Sequence, residues 1–162
     1  MLKGLSKTIS GLDYKIALLG AKNKQVDFHM YDTASSVFTE HYDTNAVVET
    51  RNLLCLDDLL TDSQFSKPDF IKVDTQGYEL EILKGGEKTL SCAGAVLLEV
   101  SLINIYKEVT LVYDVLYFMK ERGFVLFDIC SLIYRPLDKS LYQSDFLFVK
   151  EDSFLRANKK WS

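Results

Sequence analysis

"DFIKVDTQGYELEILKGG" spans residues 69–86, directly after Pro68. The first six residues, "DFIKVD", read as a strand over 69–74. "GYELEILKGGEKTLS" (77–91) then reads as a helix, with Gly85-Gly86 inside or bounding it. Side chains alternate along a strand, so Lys72 and Asp74 share one face and Ile71 and Val73 the other. A strand that ends on an acid, turns through Gly77 and enters a helix is the opening half of a strand–helix–strand unit.

The unit closes just downstream. "GAVLLEVSL" (94–102) is a continuous apolar run, the pattern of a strand covered on both faces. "TLVYDVLYFMKERG" (110–123) follows as a helix, with Leu111, Val112, Val115, Leu116 and Met119 as its apolar stripe and Gly123 as its stop. "FVLFDIC" (124–130) and "SDFLFVK" (144–150) are strands joined by "SLIYRPLDKSLYQ", with no helix between them, so they pair antiparallel. Upstream, "YKIALLG" (14–20), "KQVDFHMY" (24–31) and "AVVETRNL" (46–53) are strands. The second alternates, with Val26, Phe28 and Met30 on one face. "CLDDLLTDSQF" (55–65) is a short helix or turn. Strands alternating with helices predict a mostly parallel α/β sheet with right-handed crossovers. Its 69–74 and 95–102 strands should be adjacent, and one antiparallel strand should lie near the C-terminus.

The 162 residues suit a single domain over 1–162, and 48% apolar with 26% charged residues is an ordinary globular balance. A net charge of −4 with scattered lysines argues against a nucleic-acid partner. No apolar run approaches the ~20 residues of a membrane span, and the first residues lack a signal peptide's apolar stretch. These features place the protein in the cytoplasm. Cys55, Cys92 and Cys130 fit neither a disulfide framework nor a metal site, and their apolar neighbours predict buried, reduced thiols.

In an open α/β sheet, ligands bind beyond the carboxyl ends of the strands. Asp74 closes one such strand and Glu99 lies late in the next, so adjacency would bring both carboxylates to one crevice. After Gly77, the bare N–H groups of a helix N-terminus would favour polar or anionic ligands. Structural roles compete with this reading. Asp74 would also serve as a helix cap, Lys72 would pair with Asp74 or Glu99, and Glu79 and Glu81 read as a solvated helix face. Two carboxylates at adjacent strand tips are nevertheless hard to explain as packing. His29 reads as solvent-facing, and nothing positions His41.

At this level the sequence resembles the FkbM-type S-adenosylmethionine-dependent methyltransferases. The residues that carry the resemblance are Lys72, Val73, Asp74, Thr75, Gln76, Gly77, Tyr78 and Glu79, followed by Ile82, Leu83, Lys84 and Gly85. "VLLEVSLINIY" (96–106), "FMKERGFVLFDI" (118–129) and "SDFLFVK" (144–150) are similar to later family segments. "IALLG" (16–20), "ASSVF" (34–38) and "RNLLCLDDLL" (51–60) are similar to earlier ones. The likeness extends over nearly the whole chain and corresponds to the C-terminal two-thirds of such an enzyme.

The resemblance implies a Rossmann-like methyltransferase sheet whose N-terminal strand–helix–strand unit is missing. The family's first glycine loop and its ribose-binding acid have no counterpart here. The sequence therefore reads as a fragment of a longer product, a degenerate member, or a product whose start is placed too late. The implied activity is O-methylation of a sugar or natural-product hydroxyl, with S-adenosylmethionine as donor and a small molecule or glycan as acceptor. Asp74 is first choice for accepting the hydroxyl proton or orienting the acceptor, and Glu99 second. Thr75, Gln76 and Gly77 are assigned to the cofactor. Lys72, Tyr78 and Tyr106 are assigned to the acceptor, with partial core burial the other reading of the tyrosines. These residues by themselves are expected to bind the cofactor weakly or not at all, and an uncovered sheet edge predicts self-association. The alternative is a non-catalytic α/β module that keeps the fold and binds a partner. A phosphate binder of the same class would need a glycine-rich loop, which the sequence lacks.

Overall fold

The computed structural model describes residues 8–30, 47–75, 77–105 and 109–161, with the side chains of His29 and Met30 outside the description. Two sheets form. The smaller holds β1 (Leu18–Leu19), β2 (Lys24–Met30) and β3 (Val47–Leu54) in the order β1-β3-β2. Strand β3 runs parallel to β1 and antiparallel to β2, so the "AKN" turn separates two strands that do not pair with each other.

The larger sheet holds β4 (Phe70–Val73), β5 (Ala95–Ser101), β6 (Phe124–Ile129) and β8 (Leu141–Lys150) in the order β4-β5-β8-β6. The two-residue β7 (Ile133–Tyr134) pairs with β8. As expected, β4 and β5 are parallel neighbours, and β6 and β8 are antiparallel at one end. The expectation of a mostly parallel sheet is corrected in one respect. β8 inserts between β5 and β6 and runs against both, so among the described ladders of this sheet only β4–β5 is parallel. By direction, β4, β5 and β6 still run together. The segment between β6 and β8, which carries β7, joins two antiparallel neighbours.

Among the described residues four α-helices accompany the sheets in full: α1 (Leu56–Leu60), α2 (Glu79–Lys84), α3 (Glu87–Cys92) and α4 (Val112–Lys120). The segment expected as one helix over 77–91 is two, broken at Gly85-Gly86. The core lies between the helices and one face of the larger sheet. Val73, Val96, Leu98, Val100, Phe146 and Phe148 meet Leu80, Leu83, Leu90, Val115, Phe118 and Met119 there. On α4 the buried positions are Val115, Phe118 and Met119, and Leu116 is partly exposed. The stripe thus includes Phe118 in place of Leu116, and the Arg122 guanidinium covers the Phe118 ring at 3.4 Å from its centroid. The thiols also differ from expectation. Cys55 is half-buried, and Cys92 and Cys130 are exposed, because Cys92 ends α3 on its outer side and Cys130 follows the edge strand β6.

The Asp57 side chain ties α1 to α3. The first residue before α3 is Gly86, which has no side chain to cap it. The Asp57 carboxylate, from α1, accepts the Lys88 N–H at 2.9 Å, the Thr89 N–H at 2.9 Å and the Thr89 hydroxyl at 2.7 Å. A neighbouring helix thereby satisfies the orphan donors of this one. Partial burial pushes the Asp57 carboxyl up, but these hydrogen bonds outweigh it and leave the group below its ordinary value. Asp57→Ala is expected to cost about 2 kcal/mol at neutral pH, measured by denaturant unfolding. Because the folded-state value is the lower one, the contribution is complete above the ordinary carboxylate range and disappears as pH falls through the folded value. The mutant should therefore converge with the wild type in strong acid.

Candidate functional site

β4 and β5 place the acids as the alternation predicts. Val73 lies opposite Leu98, so Asp74 and Glu99 each follow one residue beyond the last paired position of a parallel ladder. Lys72 is in register with Leu97, and Glu99 is opposite Asp145 on β8. Lys72, Glu99 and Asp145 thus share the sheet face turned away from the helices, and Asp74 continues that face.

The Lys72 ammonium donates to the Asp74 carboxylate at 2.6 Å. Both side chains are about half exposed, so the pair adds little stability. Its partner, together with the more distant Asp145 and Glu99 charges, raises the Lys72 ammonium above its ordinary value. Asp74 is not a helix cap: the residue before α2 is Tyr78, whose side chain makes no capping hydrogen bond. Glu99 differs in kind. It is only 9% exposed and accepts a hydrogen bond from the Gln143 amide at 3.1 Å. Burial, then the Asp74, Glu79 and Asp145 charges, push its carboxyl up to about 7, against a smaller opposing effect of Lys72. Asp145 is fixed from behind: its carboxylate accepts the Ser131 hydroxyl at 2.7 Å, and its N–H donates to the same oxygen at 2.9 Å.

The turn between β4 and α2 is closed by a residue the sequence reading put on a solvated face. Glu79 is 2% exposed. Its Oε1 accepts the Thr75 N–H at 2.9 Å, the Thr75 hydroxyl at 3.2 Å and the Gly77 N–H at 3.1 Å. The reading failed because "GYELEIL" has Glu79 and Glu81 two apart, a spacing that looks like alternation on a polar surface. The signal available was the acceptor-poor turn just before it. Burial raises the Glu79 carboxyl above its ordinary value despite these bonds. The Thr75 and Gly77 donors, assigned to the cofactor in the sequence, are therefore already engaged. Gly77 has φ +96°, and a β-carbon there would stand 2.2 Å from Val109 Cγ2, so both conformation and contact call for glycine.

The structure thus brings Lys72, Asp74 and Glu99 together. It adds Gln143 and Asp145 from β8, which the sequence reading left unassigned. Their signal was the polar "YQSD" run (142–145) opening a strand that is otherwise apolar. Thr75 and Gly77 flank the group with their donors turned to Glu79. Tyr78 packs against the helix-side core. Gln76, Tyr106 and His41 lie outside the described residues. A groove of about 460 Å³ on the small sheet, lined by Ile16, Leu18, Phe28, Arg51 and Leu54 among others, has one charged side chain, Arg51, which pairs with Glu49. Converging polar groups are at the strand tips instead.

A mixed α/β domain with acids gathered beyond the ends of two parallel strands belongs to the broad class of α/β ligand-binding and catalytic domains. The chain belongs more narrowly to the methyltransferase FkbM domain family, whose model matches residues 9–126. No curated protein and no solved structure gives a significant match. The family match implies methyl-transfer chemistry and a methyl donor. Among the described residues, no helix is long and apolar enough to cross a membrane.

Proposed function

We propose that this chain forms the acceptor side of a Rossmann-like, S-adenosylmethionine-dependent O-methyltransferase acting on a sugar or natural-product hydroxyl, with Glu99 accepting the hydroxyl proton. The observation that carries the reading is the buried Glu99 carboxyl, pushed up to about 7 beside Asp74 and Asp145. A general base works best with a value near the working pH, and a buried acid whose value is displaced by burial and by neighbouring charges in a crevice is a candidate functional residue. Support for the Rossmann-like sheet comes from β4, β5 and β6 running together with β8 reversed between them.

The donor set suits a cationic cofactor. Asp74, Glu99 and Asp145 outnumber Lys72, so the face is net negative when they are ionised. The turn donors of Thr75 and Gly77 contribute nothing to that fit, since Glu79 engages them. When bound, S-adenosylmethionine supplies an electrophilic methyl group on a sulfonium. The chain's own part is to hold the acceptor hydroxyl in line and remove its proton. The Lys72–Asp74 pair would orient the hydroxyl through charge-assisted hydrogen bonds. Glu99 would accept the hydroxyl proton, and its Gln143 contact would keep one carboxylate oxygen fixed meanwhile.

The test has two arms. The protein purified from its source cells, given methyl-labelled S-adenosylmethionine and a panel of hydroxyl acceptors, is expected to place label on oxygen. Label on nitrogen or carbon, or none on any acceptor, overturns the reading. The 162-residue chain titrated calorimetrically with the cofactor is expected to bind weakly or not at all. Micromolar binding would show that residues of this chain replace the family's glycine loop.

A further inference from the structure

Glu79 is buried, makes no ion pair among the described residues and is not required by the chemistry above, yet it faces the turn that carries Asp74. We infer that Glu79 is a positioning residue: its carboxylate is the template on which the 74–77 turn folds, and through that turn it holds Asp74 beside Glu99. This rests on reading the Asp74–Glu99 crevice as the site.

The geometry supports a template more than a chance contact. Three donors from two residues, the Thr75 N–H, the Thr75 hydroxyl and the Gly77 N–H, converge on a single oxygen, Oε1. The turn itself is strained for an ordinary chain, since it passes through φ +96° at Gly77. A tight turn with inward N–H groups needs an acceptor, because each unpaired buried donor is costly. In many turns a side chain at the first position supplies it. Here the first turn of the following helix does so. Asp74 is then fixed from both sides, by the β4–β5 ladder ending at Val73 and by the clamped Thr75.

The convergence on one oxygen decides the experiment. Glu79→Gln keeps a carbonyl oxygen that accepts the same three donors, whereas Glu79→Leu fills the space and accepts none. Both remove the charge. Amide hydrogen exchange of the 162-residue chain reads the turn directly. In the Leu variant, exchange at Thr75 and Gly77 should quicken by about tenfold or more while Leu98 and Phe146 amides keep their protection. The Gln variant should stay close to wild type throughout. If both variants match wild type at Thr75 and Gly77, or if the Leu variant loses protection everywhere equally, the clamp is overturned.

Positioning of Asp74 has its own readout. Asp74 and Glu79 each raise the Glu99 carboxyl. The two variants delete the Glu79 contribution equally, so any difference between them in Glu99 titration, followed by carboxyl NMR, reports where Asp74 sits. The Leu variant is expected to titrate lower than the Gln variant. Equal values would show that Asp74 holds its place without the clamp, and would overturn the positioning role. Neither readout needs turnover, so failure of the methyltransferase reading and failure of this inference are distinguishable. Where methyl transfer is measurable, kcat lost in the Leu variant should be restored in the Gln variant.

Discussion

Gly85→Ala is expected to destabilise the chain by about 3 kcal/mol or more, seen as a large drop in the denaturant midpoint at constant m-value. The backbone at Gly85 has φ −81° and ψ −3°, which any residue adopts, so the effect does not come from conformation. It comes from contact. A β-carbon at Gly85 would stand 2.1 Å from the Gly20 carbonyl oxygen and 3.0 Å from its carbon, and these are backbone atoms that cannot rotate aside. Gly20 is held by its N–H to Leu54 at 3.0 Å, and the Gly85 carbonyl is held by the Asp57 N–H at 3.0 Å. The new methyl group would therefore pry the small sheet and α1 from the α2–α3 corner together. Gly123→Ala is the control. It has φ +72° with nothing within 4 Å of a new β-carbon, so it should cost only about 1–2 kcal/mol, from conformation. If the two substitutions proved equal, the close approach of residues 20 and 85 would not be what joins the sheets.

That contact shows what could and could not be read in "ILKGG". The motif announces a break, and a break is present. Which glycine serves which neighbour depends on pairs far apart in sequence, residue 20 with 85 and Leu56 with Gly86, whose new β-carbon would meet Leu56 Cδ2 at 2.8 Å. Local pattern placed β4, β5, β6, α4 and the core face correctly, because hydrophobic period and turn residues are local properties. It could not place β8 between β5 and β6, since strand order follows from which faces remain uncovered once the helices are docked.

The site divides in the same way. The placement of Asp74, Glu99 and Lys72 on one face of neighbouring strands was legible because strand alternation and the strand-end rule both act within a few residues. Glu79 was misread because its role is set by three donors folded back onto it, which no periodicity records. Gln143 and Asp145 were missed because their relation to Ser101 and Glu99 is a register between strands more than 40 residues apart.

Glu99→Gln is expected to make the chain more stable above neutral pH and the enzyme nearly inactive. The folded-state value of Glu99, about 7, lies above its ordinary 4.5. Between those values the native chain keeps a proton that the unfolded chain has released, so stability falls as pH rises through the window, and the penalty is complete above about 7. A shift of this size corresponds to about 3 kcal/mol at full weight, and solvent at the strand tip reduces it to about 1–2 kcal/mol. Glutamine fits the same space, accepts from Gln143 and has no charge to set against Asp74, Glu79 and Asp145. Urea unfolding at pH 8 should therefore show the variant more stable, and the decline between pH 4.5 and 7 should flatten. Turnover should move the other way. Loss of a general base costs about 10²–10⁴-fold, and the wild-type rate should climb as Glu99 deprotonates through neutrality while the variant's stays low and level. A variant that is both more stable and less active shows a carboxylate kept against the preference of the fold, which packing cannot explain. Near-wild-type turnover in Glu99→Gln would instead return the proton to Asp74 or to solvent and remove Glu99 from the chemistry.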